Sequence, residues 1–189
     1  MNIKVFIEFC KFRHDMVCNQ KYDNNLPYSK HLEFVEAQYH RFKHLLGSDL
    51  EILYQAHAGC WGHDLIEDAR VTYNDLKDMV GVEVADIIYC CTEEKGRNRD
   101  ERHSEKYYIE LAQNKLAIFV KLCDIIANAT YSVLTKSSMF KKHRLEHQKT
   151  IKHLWVLEFN PMFAYLDKLF ILGNGTLEMA KGETEADGV

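Results

Sequence analysis

Apolar residues recur along this chain with a helical period far more often than with the alternation of a strand. Residues 2–18 place Ile3, Phe6, Ile7, Cys10 and then His14 or Val17 at helical spacing, which predicts an amphipathic opening helix. KYDNNLPY, 21–28, is rich in turn formers and reads as a loop. A second helix is expected from Ser29 to about Leu46, stopped by Gly47-Ser48. A third starts near Asp49 and carries Ile52, Leu53 and Ala56 toward Gly59. Thr72 with Asp75 three residues on resembles a capping box, predicting a short helix from Tyr73 to Met79 that Gly81 stops. Val82 to Cys91 holds strand formers, but Glu83 and Asp86 interrupt it, and a buried helix is the expectation.

The mixed-charge stretch 93–106 reads as a loop, followed by helices at about 104–113 and 115–134. The second of these is apolar apart from Lys121, Asp124 and Asn128. A long helix at about 139–159 has a basic front half, read as a solvated face with a phosphate-binding rim or an oligomer contact as the alternatives. Asn160-Pro161 breaks it, and a last helix runs to Leu172 before Gly173 and Gly175. The tail, 174–189, has few apolar residues and is expected to be disordered.

Composition sharpens this picture. Apolar residues make up 47% of 189, enough for a real core, and only 9 Gly and 2 Pro interrupt it, as a mostly helical chain requires. A formal charge of −4 exerts no bulk pull toward nucleic acid or an anionic membrane. The 6 cysteines show no C-x-x-C and fall in apolar patterns, a usage that fits a reducing cytosol. The N-terminus is too soon charged for a signal peptide, and no stretch approaches the roughly eighteen apolar residues of a membrane span. The expectation is a soluble, cytoplasmic protein without a nucleic-acid or membrane partner, leaving room for a homo-oligomer.

The chemistry gathers in HAGCWGHDLIEDARVTYNDL, 57–76. His63 and Asp64 are adjacent, with Glu67 and Asp68 one helical turn later. In a continuous helix Asp64 would meet both later carboxylates and His63 would meet Glu67. Such a group needs a positive partner, and a divalent metal is one that satisfies it; a solvated acidic helix start is the alternative. Asp124 lies mid-helix in KLCDIIAN and also needs a partner, whether Lys121, Asn128 or a metal. His31 opens the helix after Pro27-Tyr28, as a capping residue or a ligand.

Taken in order, His31, His63-Asp64 and Asp124 resemble the H…HD…D pattern of the HD-domain metal-dependent phosphohydrolases. The likeness is to one branch, the RelA/SpoT-type and small stand-alone ppGpp hydrolases. PYSKH (27–31), HDLIEDARVTYNDL (63–76), Thr92-Glu93-Glu94-Lys95 and KLCDIIAN (121–128) each resemble a segment of that branch, and together they span about residues 5–132. His14-Asp15 is a second HD dyad outside the pattern.

The resemblance implies an all-α HD-domain helical bundle over 1–135, with extra C-terminal helices at 136–173 packed on it. It implies His31, His63, Asp64 and Asp124 as ligands of one divalent metal per chain, with Mn²⁺ the expected ion. Glu67 and Asp68 would be the catalytic acid and base, and Lys21, Lys95 and Asn128 would contact a small nucleotide substrate. The implied reaction is hydrolysis of the 3′-diphosphate of ppGpp by a metal-activated water. Two departures bear on substrate: Lys21 is the only cation where the branch carries arginine, and Ile125, Ile126 and Ala127 replace R-L-H. A nucleotidase or phosphodiesterase on another nucleotide, and a metal- or nucleotide-binding module without turnover, are the alternatives. Tyr22 and Tyr28 are read as packing, or as platforms for a base; Trp61 is read as core.

Overall fold

The computed structural model describes residues 2–23, 25–93, 99–102 and 104–172, and the chain divides into two units, 1–124 and 125–189. In the first unit, helix α1 (Ile3–Lys11) opens with the Asn2 side chain accepting the Lys4 N–H at 2.9 Å. It widens into a π-helical turn, Phe12–Val17, so the predicted opening helix is present but not uniformly α. Residues 21–28, expected as a loop, contain a short antiparallel hairpin in which Lys21 faces Pro27 and Tyr22 faces Leu26. Asp23 and Asn25 take positive φ angles of 46° and 82°, the conformation that lets so short a connection reverse the chain.

Helix α2 (Ser29–Phe42) continues into a 3₁₀ turn at Lys43–Leu46. Its first N–H, on Ser29, is met by the Asp15 carboxylate at 3.0 Å. Helix α3 (Leu50–Gly62) is capped by Asp49, whose side chain accepts from the N–H groups of Glu51 and Ile52. The short α4 (Leu65–Asp68) and α5 (Tyr73–Val80) follow, the latter with the predicted Thr72/Asp75 capping box. Next come α6 (Val82–Cys91), α7 (Arg99–Arg102) and α8 (Glu105–Ala112). Helix α9 (Lys115–Leu134) begins on the Asn114 side chain, which accepts from Leu116 and Ala117. The charged segment therefore carries a turn of helix, and the hydrophobic 82–91 stretch is a helix as expected.

Phe6, Leu32, Trp61, Leu65, Leu76 and Ile88 are fully buried in this unit. At roughly 1.5–3 kcal/mol for each large apolar side chain removed from water, this cluster holds α1, α2, α3 and α6 together. Two glycines let α3 approach its neighbours. A Cβ on Gly59 would stand 2.8 Å from Ile87 and 2.9 Å from Val120, and one on Gly62 only 2.4 Å from Ile88. The chain after α4 is pinned by Arg13, which donates to the Ala69 carbonyl at 2.6 Å and the Arg70 carbonyl at 2.8 Å. That clamp accompanies a left-handed Arg70, at φ 54°.

The second unit contains the C-terminal part of α9, then α10 (Met139–Leu154), a 3₁₀ turn at Leu157–Phe159 and a helix over 160–172, labelled α11. Phe140 lies 5.8 Å and His147 4.9 Å from Phe170, ring centre to ring centre, and His147 bonds Asp167 at 2.7 Å. The helix expected over 139–159 thus ends as α at Leu154, five residues early, where Trp155 turns extended. The tail expected to be disordered lies outside the described residues.

One expectation is overturned. Helix α9 is, by length and composition, apolar enough to cross a membrane, contrary to the sequence count. It has the character of a core helix, with 67% of its most apolar window buried, and it carries the buried, ion-paired Lys121 and Asp124.

Candidate metal centre

The site is built where three helices of the first unit converge. His31 lies in the first turn of α2, His63 caps the C-terminus of α3, Asp64 follows it, and Asp124 lies on α9. All four are buried or nearly so: His31 is 2% exposed, His63 1% and Asp124 7%. His31 Nε2 stands 3.3 Å from His63 Nε2 and 3.3 Å from Asp124 Oδ1. Asp64 Oδ2 is 2.9 Å from His63 Nε2 and 3.7 Å from His31 Nε2, and His63 Nε2 is 3.8 Å from Asp124 Oδ1.

Three of these five separations match donors around one ion, and the other two, 3.7 and 3.8 Å, exceed that spacing slightly. Donors about 2.0–2.2 Å from a common first-row cation are separated from one another by about 2.8–3.6 Å. His31, His63 and Asp124 have their ligand atoms all within 4.8 Å of one another, and Asp64 adds a second carboxylate. The tautomer agrees. His63 Nδ1 bonds the Cys60 carbonyl at 3.0 Å, so the proton belongs on Nδ1 and the lone pair on Nε2 faces His31. Two imidazole nitrogens that close in a buried space either share a proton in an N–H···N bond or flank a cation. Burial alone would lower the His63 imidazole, yet Asp64 and Asp124 lift it to about 9, which expresses the same demand for positive charge. The donor set, two imidazoles and two carboxylates, suits a divalent transition metal.

The surroundings hold these groups in place. Tyr28, part-buried, donates its hydroxyl to Asp64 Oδ2. Burial and the Asp64 charge push the Tyr28 phenol well above its usual range, so it remains a donor. Tyr22 stacks on the His31 ring at 5.0 Å, and Tyr28 lies against it at 5.3 Å, so both tyrosines serve the centre as packing. Lys121, 8% exposed, pairs with Asp124 at 3.1 Å and with Glu93 at 3.8 Å. Burial opposes its charge, but Tyr107, Asp124 and Glu93 keep the ammonium well above its ordinary pKa.

Helix α3 ends at His63 and α4 starts at Leu65, but the Asp68 N–H still reaches the Asp64 carbonyl at 2.9 Å, so Glu67 and Asp68 lie one turn beyond the dyad. Glu67 accepts the Glu93 N–H at 3.1 Å and faces Arg102 at 3.7 Å. Burial, then the neighbouring charges of Glu93 and Asp64, lift its carboxyl to about 7. Asp68 accepts from Gln20 at 2.8 Å, and Gln20 in turn bonds the buried His14 at 2.6 Å. Burial and Asp64 raise Asp68 as well. The His14-Asp15 dyad supports the site from outside: His14 stacks on Tyr28 at 4.6 Å and Asp15 caps α2.

Lys21 is exposed on the first hairpin strand, one residue before Tyr22. Asn128 lies in the second unit, one turn further along α9 than Asp124. Lys95 lies outside the described residues. Sequence reasoning missed Tyr28 as a partner of Asp64 and the Gln20 link to Asp68. PYSKH contained the first signal; nothing in the pattern announced the second.

Among comparisons with known proteins, no family model matches the chain. Its fold is similar to that of a solved metazoan ortholog of SpoT, described as hydrolysing ppGpp and playing a role in starvation responses. The two share a TM-score of 0.67 and 19% identity, over 89% of this chain and 93% of that one. The all-α, HD-type helical architecture expected from the sequence is therefore the architecture of this protein.

Proposed function

We propose that this protein is a metal-dependent nucleotide phosphohydrolase, and that its reaction is of the ppGpp type. In that reaction a 3′-diphosphate is hydrolysed to a 3′-hydroxyl and pyrophosphate. The observation that carries the reading is the pair of facing Nε2 atoms of His31 and His63, 3.3 Å apart, with Asp64 and Asp124 beside them. The fold shared with a protein described as hydrolysing ppGpp supports it.

His31, His63, Asp64 and Asp124 would hold the metal, Mn²⁺ or a similar ion. When bound, it supplies Lewis-acid neutralisation of phosphoryl oxygen and a lowered pKa for water. The residues of the chain do the rest. Glu67, with a carboxyl near 7, is poised to exchange a proton at neutral pH, as base toward the incoming water or as acid toward the departing 3′-oxygen. Gln20 fixes Asp68 for the complementary task. Tyr28 fixes Asp64. Lys121 balances the charges of Asp124 and Glu93. Lys21, Lys95 and Asn128 are the proposed substrate contacts.

A second substrate reading rests on one observation. Lys21 is exposed and is the only cation of the sequence stretch 18–25, where the ppGpp-hydrolysing branch holds its base with arginine, which favours another nucleotide on the same chemistry. The test is a hydrolysis panel with Mn²⁺: ppGpp, deoxynucleoside monophosphates, cyclic nucleotides and NADPH, with Asp64→Ala as control. Pyrophosphate from ppGpp, lost in the variant, supports the first reading. Turnover of another member moves the substrate. Metal binding with no turnover of any member sinks the enzyme reading and leaves a binding module.

A further inference from the structure

A second cluster of metal-ligating side chains lies on the same two helices, away from the four residues of the centre just described. Glu36 and His40 are one turn apart on α2, and His57 faces them from α3. The Glu36 carboxylate is 2.6 Å from His57 Nε2 and 3.9 Å from His40 Nε2, and one ligand atom from each residue lies within 4.8 Å of the others. We propose that Glu36, His40 and His57 form a second metal site, for Zn²⁺ or a similar borderline ion, that clamps α2 to α3.

The donor set selects the ion. Two imidazoles and one carboxylate match the ligands zinc takes when one position stays open, whereas Mg²⁺ and Ca²⁺ require mostly oxygen. Ligands about 2.0–2.1 Å from a tetrahedral ion stand about 3.3 Å apart. The Glu36–His57 contact must therefore open, and the Glu36–His40 gap close, each by well under an ångström. His40 is the member able to move: its side chain is 53% exposed, against 25% for Glu36 and 17% for His57.

The rings are already oriented. Tyr39 lies flat on His57, 4.6 Å between centres and 1° between planes, and crosses His40 at 5.2 Å. The Tyr39 hydroxyl is tied to the Leu53 carbonyl at 3.0 Å, so the platform is fixed to α3. Glu36 is held as a carboxylate: burial opposes its charge, but His57 and the approaching Trp61 indole keep its pKa below the ordinary value. Lys43, one turn beyond His40, is the nearby opposing charge, and it lies 5.9 Å from the Tyr39 ring centre. A metal would use all three side chains.

The consequence is a staple. Helix α2 carries His31 and α3 ends at His63, so an ion on Glu36, His40 and His57 ties together the two helices that bring those imidazoles face to face. The site stands whether or not the first centre hydrolyses nucleotides.

The test uses the full chain, stripped of metal with a chelator and titrated with Co²⁺ and Zn²⁺, following cobalt absorption, bound metal after gel filtration and thermal midpoint. The wild type is expected to bind one equivalent more than His40→Ala, and His57→Gln is expected to lose the same equivalent. In an Asp124→Ala background the Zn²⁺-induced rise in midpoint should persist, and should vanish when His40→Ala is added. Equal stoichiometry, cobalt spectrum and midpoint rise in wild type and His40→Ala would overturn the site. His40 is exposed, so its variant keeps the fold even if His57→Gln does not.

Discussion

Replacing Glu67 by Gln is expected to stabilise the fold above neutral pH while removing turnover. The Glu67 side chain is 25% exposed and faces Glu93, which is 8% exposed. Burial, Glu93 and Asp64 together raise its carboxyl from an ordinary 4.5 to about 7. The folded state therefore keeps this proton to a higher pH than the unfolded chain does. Below 4.5 both states are protonated and the site costs nothing; the penalty grows as pH rises and is complete above about 7. At about 1.4 kcal/mol for each pH unit, the rise is worth about 3.5 kcal/mol at most. Partial solvation and Arg102 at 3.7 Å reduce this to about 1–2 kcal/mol. Glutamine keeps an oxygen to accept the Glu93 N–H, so the bond at 3.1 Å survives while the charge goes. Urea denaturation of the metal-free chain at pH 5 and pH 8 reads the effect. The variant should gain about 1–2 kcal/mol over wild type at pH 8 and only about a quarter of that at pH 5. An equal difference at both pH values would refute the electrostatic reasoning, since a packing effect has no such dependence.

Tyr28→Phe removes the hydroxyl that holds Asp64 and is expected to weaken Mn²⁺ binding about 10–100-fold, measured by calorimetry, with the fold retained. Lys121→Met leaves Asp124 and Glu93 without their buried counter-charge and should cost about 3–5 kcal/mol in denaturant melts; a loss below 1 kcal/mol would show that the pair is solvated. Gly62→Ala forces a Cβ to 2.4 Å from Ile88 and should cost about 1–3 kcal/mol, a loss that Ile88→Val partly restores in the double variant. Thr72→Ala breaks the capping box of α5 and should lower stability by about 1 kcal/mol, read as a shift in urea midpoint.

Helix content was legible wherever local chemistry decides it. Thr72 and Asp75 announce their helix, Asp49 caps α3, and Glu83 and Asp86 argue against a strand at 82–91 because there they would fall on opposite faces, whereas three apart in a helix they share one side. The hairpin at 21–27 escaped because two residues in each strand carry no period to read. The π-turn at Phe12–Val17 escaped for a related reason: it shifts the register of a helix without changing which residues are apolar. The apolar length of α9 was undercounted because Lys121 and Asp124 looked like interruptions, and their mutual pairing removes much of that cost inside a core.

The same distinction runs through the site. His31, His63, Asp64 and Asp124 stand out in sequence as a set through their resemblance to the H…HD…D pattern, and the structure brings all four together. What the pattern could not reveal are the separate partners of the three carboxylates. Asp64 and Asp68 stay one turn apart, joined by the Asp68 N–H to the Asp64 carbonyl. Asp64 meets Tyr28 and His63, Glu67 the Glu93 amide and Asp68 the Gln20 side chain. Three carboxylates in one stretch thereby acquire different environments: Asp64 is driven down by His63 against its own burial, while Glu67 is lifted to about 7. A site that must hold a cation and also exchange a proton near neutrality needs that separation. Residue spacing alone cannot supply it, because Gln20, Tyr28 and Glu93 are distant in sequence and meet Asp68, Asp64 and Glu67 only in the folded chain.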